Sequence, residues 1–253
     1  MEDIKVSGCI VTYNNEDTIE KCVASLLTYT KDVKFKLYIS DNCSTDSTLD
    51  IIESKFPDVQ IIRNIDNGGF GYGHNQVLPK IVSKYHFVIN PDIYVESDTI
   101  SELVRYMENH QDAAMITPRI DNIDGTQQYL PKRTPTIRYL ILSKLPLLKH
   151  YRKEYTREME NFTEPTEVDF CTGCFFCIRT KIFRELQGFD KRFFMYFEDA
   201  DLSRSVRQKS KIIFYPMANV FHEWHRENTR KLRGILRWTS SMIKYFSKWG
   251  WRF

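Results

Sequence analysis

Short apolar runs alternate with helix-spaced apolar residues through the first half of this chain, and that alternation limits the folds open to it. Val6-Ser-Gly-Cys-Ile-Val-Thr12 is a compact run suited to a buried strand. Ile19, Cys22, Val23, Leu26 and Leu27 then recur at helical spacing, after the capping candidate Asn15. Strand signals return at 35–40, 59–63, 85–90 and 113–117, and a helix carrying Leu49, Ile51 and Ile52 has Ser44 or Asp46 to cap it. Parallel strands need a long crossover, usually a helix. The order therefore predicts an α/β protein with a mostly parallel central sheet and helices on both faces.

Composition sets the outer bounds. The chain has 253 residues, enough for one large α/β domain or a domain with an appendage. A net charge of +3 is too small for a nucleic-acid binder. The pattern loosens over 120–165, where four prolines and many basic residues surround Tyr139-Leu-Ile-Leu142. That stretch reads as a flap or a variable acceptor-side insertion. From Val168 to about Val220 the order is again strand, helix, strand. Cys171, Cys174 and Cys177 invite a metal-cluster reading, but they lie in an apolar run with no fourth ligand nearby, so they read as core thiols. No signal peptide opens the chain and no apolar run is long enough to span a bilayer. With cysteines spread through regular segments, a cytoplasmic, reduced protein is expected.

Carboxylates gather where strands end. Asp41 closes the run 36–40, and from there it suits the N3–H of a uracil or thymine ring. The bland alternative is a turn and helix cap over 41–47, since Asp, Asn, Ser and Thr favour both. Asn90-Pro-Asp92 ends the fourth strand, because Pro91 lacks an N–H donor. Asp92 is then placed to bind Mg²⁺ or Mn²⁺ against a diphosphate. Glu198-Asp-Ala-Asp201 precedes a helix and follows an aromatic run, Phe193 to Phe197, able to wall off a pocket. A carboxylate there suits a general base, although three acids at a helix start also suit the macrodipole. Asn67-Gly-Gly-Phe-Gly-Tyr-Gly-His-Asn75 permits close backbone approach to a phosphate or sugar. Its glycine spacing does not match a dinucleotide fingerprint. His222 ends the strand-like run 212–221 and belongs to no zincin motif.

In this order and spacing, these segments resemble the family-two inverting glycosyltransferases, over roughly residues 4–225. Further carriers are Val11-Thr-Tyr-Asn14, Thr172-Gly-Cys174 and Gly188-Phe-Asp190. Asn90-Pro-Asp92 with Phe193-Phe-Met-Tyr-Phe-Glu-Asp-Ala-Asp-Leu202 is most similar to the rhamnosyltransferase-like branch, which builds bacterial surface polysaccharides from dTDP-L-rhamnose. The resemblance implies a Rossmann-like GT-A fold over 1–228 and roles for matching positions. Thr12, Tyr13, Asn14, Asp41, Gly69 and Asn90 would bind the nucleotide. Asp92 and His222 would hold the cation, Mg²⁺ or Mn²⁺. Asp199 would be the base, with Gly173, Glu198 and Asp201 around the acceptor or donor sugar. A dTDP- or UDP-sugar donor and a lipid-linked saccharide acceptor are the implied partners. Two departures stand out: Asn90 replaces a usual acid, and Cys174 replaces a small residue.

Two other readings stay open at this point. A sugar-1-phosphate nucleotidyltransferase would also use a nucleotide crevice and Mg²⁺, but Tyr13-Asn-Asn-Glu-Asp17 lacks the basic residues its loop needs. A catalytically inactive sugar- or lipid-binding module is the other. Residues 229–253 form a basic tail, read as a separate amphipathic helix or helix pair. It has seven Lys or Arg and no acid. Leu232, Ile235, Leu236, Met242, Ile243, Phe246, Trp249 and Phe253 recur as one apolar stripe, with Trp238, Tyr245 and Trp251 at the level of a membrane interface. The expectation is a peripheral enzyme on the inner face of the plasma membrane. A contact with the catalytic domain or a homodimer is the competing use of the stripe.

Overall fold

The computed structural model describes residues 5–143, 145–223 and 232–253. In chain order the elements are β1 (Lys5–Thr12), α1 (Ile19–Tyr29), β2 (Lys34–Asp41), α2 (Thr48–Lys55), β3 (Gln60–Arg63) and α3 (Phe70–Val77). There follow β4 (Tyr85–Ile89), β5 (Ile93–Tyr94), α4 (Thr99–Asn109), β6 (Ala113–Asp121), β7 (Gln127–Gln128), α5 (Ile137–Leu142), α6 (Lys149–Thr156) and β8 (Thr166–Glu167). The last are β9 (Phe175–Arg179), α7 (Thr180–Glu185), α8 (Glu198–Arg207), β10 (Lys211–His222) and α9 (Leu232–Trp249).

One sheet runs β3-β2-β1-β4-β9-β6-β10-β5, with β7 on β6 and β8 on β10. The half that alternates cleanly in sequence, β3-β2-β1-β4, is parallel as predicted. Beyond it the sheet is mixed. β9 enters antiparallel between β4 and β6, and only β6–β10 is parallel in the second half. Three two-residue strands complete this half: β7 turns directly back on β6, while β5 and β8 pair antiparallel with the distant β10.

Side-chain alternation splits the core between the faces. Val6 and Ile10 of β1 pack with α1, α2 and α4 through Ile19, Leu26, Ile52 and Leu103. Cys9 and Val11 face α3, α7 and α8 through Val77, Phe183 and Val206. Cys174 and Cys177 join the first core and Cys171 the second, so the three thiols are buried packing groups.

A third core sits to one side. Leu140, Phe170, Phe193, Phe197, Ala200, Tyr245 and Phe246 bring α5, α8 and α9 together. Region 131–165 is thus a helical hairpin docked on α8 and α9, with Tyr139 and Leu140 buried. The tail is one helix, and it is not separate. Ser241 donates to the Met195 carbonyl at 2.8 Å, and the Trp249 indole N–H donates to Asp201 at 2.7 Å. The predicted stripe divides. Phe246 is buried, Met242 and Trp249 pack against the third core, and Ile235, Leu236, Ile243 and Phe253 stay exposed. Tyr245, placed by sequence at a membrane interface, is fully buried. Arg230, Lys231 and the boundary at 228/229 lie outside the described residues, as does the side chain of Leu232. Among the described residues, no helix is long and apolar enough to cross a membrane.

Candidate active site

A crevice of about 520 Å³ opens at the C-terminal ends of β1, β2 and β4. In an open α/β sheet the carboxyl ends of the strands are where ligands bind. Val11, Thr12, Tyr13, Asn42 and Asn67 line it with Gly69 and Phe70 beside them, Asn90, Pro91 and Asp92 form its floor, and Phe194 to Tyr196 close over the start of α3.

The glycine-rich segment is not a loose loop. It turns at Gly69, which has φ +93, and continues as α3. A side chain at 69 would meet the Phe194 carbonyl oxygen at 2.0 Å, and one at 73 would meet Val11 at 2.6 Å. The glycines let α3 lie directly on β1 and let the aromatic segment close over the start of the helix. Phe70 N–H donates to that same Phe194 carbonyl at 3.0 Å.

At the first end, Asp41 is 2% exposed and already engaged. It accepts from Thr12 Oγ1 at 2.8 Å, from Ser44 N–H at 3.0 Å and from Ser44 Oγ at 2.5 Å. Asp41 thus stands behind Thr12 and outside the crevice lining. Asn14 turns away too, accepting from Thr45 N–H at 2.8 Å, with its backbone at φ 57. The residue that reaches the crevice there is Asn42, held by Asn64 Nδ2 on its Oδ1 at 2.7 Å and by its own donation to the Gly69 carbonyl at 3.0 Å. It sits inside the sequence cluster 41–46, but nothing in the spacing sets it apart from its neighbours.

On the floor, Asp92 Oδ1 lies 3.3 Å from His222 Nε2. Gln128 decides what that contact is. Its amide N–H₂ donates to the His222 carbonyl and to Asn122 Oδ1, so its Oε1 must face His222 Nδ1, at 3.1 Å. Nδ1 therefore carries the proton and Nε2 presents a lone pair towards Asp92. Asp92 Oδ1 is buried and accepts no hydrogen bond among the described residues. Two acceptors facing each other fit a shared cation or proton between them. Among the described residues no third His, Cys, Asp or Glu joins them. Gln128 was not legible in sequence, since it comes from a two-residue strand in the irregular stretch.

Towards α8, Tyr196 and Phe197 both hold left-handed backbone, φ 68 and 66, and swing the first turn of α8 inward. Such conformations are costly for bulky residues and gather at functional sites. Asp199, half-buried, accepts from Gly173 N–H at 3.0 Å and from Ala200 N–H at 2.8 Å. Gly173 sits between it and the crevice: a side chain at 173 would meet the Phe70 ring at 3.2 Å and Asp199 Cβ at 3.5 Å. Burial pushes the Asp199 carboxyl up, opposed by the Gly173 N–H and the Lys132 ammonium. Burial pushes Glu198 well up, with the Asp199 charge adding to it, and Glu198 Oε2 has no partner among the described residues. Of the two adjacent acids Glu198 is pushed up further, so Asp199 ionises first. Lys132, from the proline-rich stretch, carried no sequence signal.

Asp201 goes elsewhere. It is buried on the opposite side of α8, accepting from Lys248 and from the Trp249 indole. Two residues further along a helix the side chain points about 200° away, so Asp199 and Asp201 cannot share a pocket. Asp201 anchors α9.

Comparison with known proteins decides the family. The model described as "Glycosyl transferase family 2" matches residues 7–187, well over half the chain. The chain belongs to glycosyl transferase family 2. It is 25% identical to rhamnosyltransferase WbbL of Escherichia coli K12, over 94% of this chain and 91% of that one. It is also 25% identical to the N-acetylglucosaminyl-diphospho-decaprenol L-rhamnosyltransferase of Mycobacterium tuberculosis H37Rv, over 84% of this chain and 74% of the other. Among solved structures, GalNAc-T7 with UDP, GalNAc and Mn²⁺ superposes with a TM-score of 0.70 at 18% identity, covering 95% of this chain and 48% of that one. The fold of this family-two glycosyltransferase is thus GT-A, a curled mixed sheet with helices on both sides.

Proposed function

We propose that this glycosyltransferase moves L-rhamnose, with inversion, from dTDP-L-rhamnose to a hydroxyl of a lipid-linked saccharide in the synthesis of bacterial surface polysaccharide. The donor reading is supported by two relatives named as rhamnosyltransferases that align along most of the chain. The acceptor reading is supported by the decaprenol in the name of one of them. The observation that carries the mechanism is the grouping around the crevice: Thr12, Asn42 and Asp92 line it, His222 stands beside Asp92, and Asp199 lies behind Gly173, which abuts the lining residue Phe70.

In this reading Thr12, Asn42 and the α3 start hold the nucleoside, with Asp41 fixing Thr12. Asp92 and His222 would hold Mg²⁺ or Mn²⁺, which would neutralise charge on the departing diphosphate. Asp199 accepts the proton of the acceptor hydroxyl. The oxygen forms a bond to the anomeric carbon on the face opposite the nucleotide, and the bond to the diphosphate oxygen breaks. Gly173 N–H keeps the Asp199 carboxylate aimed, and protonated Glu198 keeps a second negative charge out of the site.

The enzyme would work at the inner face of the plasma membrane. Ile235, Leu236 and Ile243 form an exposed row on α9, and Leu147 beyond α5 is 95% exposed, with Ile141 and Leu145 beside it in sequence. Ile137 N–H donates to the Arg252 carbonyl, so the start of α5 and the chain end lie together. Lys149, Arg152 and Lys153 follow at once on α6. Apolar residues flanked by cations suit an anionic bilayer.

The test is a donor panel scored for nucleoside diphosphate release, with and without a lipid-linked acceptor. dTDP-rhamnose should turn over fastest. Turnover of UDP-sugars alone refutes the rhamnose assignment, and tighter binding of GDP than of both dTDP and UDP overturns the pyrimidine site. For the membrane, Ile235, Leu236 and Ile243 changed together to Glu should abolish flotation with anionic vesicles. Unchanged flotation, or none by the wild type at low salt, removes that part.

A further inference from the structure

Only two charged side chains line the crevice among the described residues, Asp92 and Arg237. Asp92 stands at the end of a strand, where the sequence led us to expect an acid. Arg237 comes from α9, more than 140 residues further along the chain. In sequence it is one of seven cations in an acid-free tail, with nothing to separate it from the rest.

The structure separates them. Lys248 is spent on Asp190 and Asp201, and Lys244 donates to the Arg192 carbonyl at 2.7 Å. Arg237 pairs with no carboxylate among the described residues. Its guanidinium lies 4.4 Å from the centre of the Phe194 ring. Phe194 is the residue whose carbonyl receives the Phe70 N–H at the start of α3, so the ring is fixed to the crevice wall. A guanidinium resting on an aromatic face is oriented without losing its five N–H donors. Gly234, one turn earlier, also lines the crevice, so the first turns of α9 form part of its wall. The Ser241 and Trp249 contacts to Met195 and Asp201 hold that helix in place.

We propose that Arg237 binds the diphosphate of the donor, carried into the crevice by α9. This rests on the reading of the crevice as a nucleotide-sugar site. A nucleoside diphosphate brings more negative charge than the single acid Asp92 plus a divalent cation balances. An unpaired guanidinium on the opposite wall supplies the missing positive charge in the planar, two-pronged form that suits phosphate oxygens.

The experiment compares binding of dTDP and UDP with binding of thymidine and uridine, by calorimetry, in Mg²⁺ and in excess chelator. In Arg237→Gln, which keeps a polar stem on the Phe194 ring, and in Arg237→Ala, dTDP affinity should fall by about ten- to a hundredfold, the loss of a charge-assisted contact. Thymidine affinity should change less than twofold, and Arg237→Lys should recover part of the loss. In chelator the wild type should still prefer dTDP to thymidine, and Arg237→Gln should not. In the unaltered protein, dTDP but not thymidine should shield Arg237 from phenylglyoxal. Wild-type dTDP affinity in Arg237→Gln, or equal losses of nucleoside and diphosphate, overturns the assignment while leaving the donor site standing. A wild type that binds no nucleoside diphosphate better than its nucleoside removes both.

Discussion

Asp41 at one end of the crevice is fully engaged, whereas Asp92 on the floor and Glu198 on α8 each keep a buried oxygen with no hydrogen bond among the described residues. Asp41 receives three hydrogen bonds from Thr12 and Ser44, and Asn42 is held from two sides. These groups are finished before any ligand arrives, so they shape a rigid wall. On the floor and at α8, Asp92 Oδ1 and Glu198 Oε2 are buried without a hydrogen bond among the described residues, and Tyr196 and Phe197 hold strained backbone. An unsatisfied buried acid costs stability, and a folded protein retains it where binding or chemistry uses it. The difference fits the proposed roles, in which the first half holds the donor and the other half reacts.

Five variants break or sharpen that contrast. Asp199→Asn tests the reactive half most strongly. Turnover should fall by roughly 10² or more while dTDP binding and fold persist, because only the proton acceptor is lost. Near-wild-type turnover by the folded variant would mean that the base lies elsewhere. Gln128→Ala releases His222 without touching either proposed metal ligand. Cation affinity, measured as Mn²⁺ binding, should fall by about 10- to 100-fold, the usual effect of losing the group that orients a ligating histidine. Full activity of the wild type in excess chelator would sink the metal reading altogether.

Asp201→Ala tests a satisfied acid only two residues from the base. Removing an acceptor from Lys248 and Trp249 should cost about 2 kcal/mol in denaturant unfolding, since the contact is buried and charge-assisted. Its turnover, in the folded protein, should fall far less than that of Asp199→Asn. If the two fall alike, the division of α8 into a reactive and a structural side is wrong.

The smallest effects concern pH. Asp199 must be ionised to act, and burial raises its pKa, so the acid limb of the rate profile should lie above the ordinary aspartate range. Lys132→Met removes a charge that favours the ionised form, and the limb should move to higher pH. Glu198 has a raised folded pKa, so the unfolded chain releases its proton first as pH rises. Stability should therefore fall from the ordinary glutamate range up to the raised value, and Glu198→Gln should remove that slope. Identical melting curves for the two proteins from pH 5 to 8 would show that Glu198 is not held neutral.

The parallel half of the sheet was legible because its strands and helices follow one another in sequence, with Val6, Ile10, Ile19 and Leu26 announcing both periods. Asp92 was legible because Pro91 ends its strand, and Asp199 because an aromatic run precedes it. The mixed half was not. β5, β7 and β8 are too short to carry a period, and Gln128 and Lys132 sit in irregular backbone whose position only long-range packing sets. The tail was half legible: its helical period was plain, but which part of a wide apolar stripe meets protein is settled by the partner surface.

By itself the sequence determined the local elements, the strand-end acids and the family, because each depends on neighbours within a few residues or on an ordered series of motifs. The tertiary structure decided which acid does what. Asp41, Asp92, Asp199 and Asp201 are alike in composition. They differ in whether a hydroxyl, a histidine, a backbone N–H or a tryptophan stands 3 Å away, and those partners come from elements up to 130 residues distant. A carboxylate's charge and reactivity are set by what surrounds it in space, and chain order does not record that.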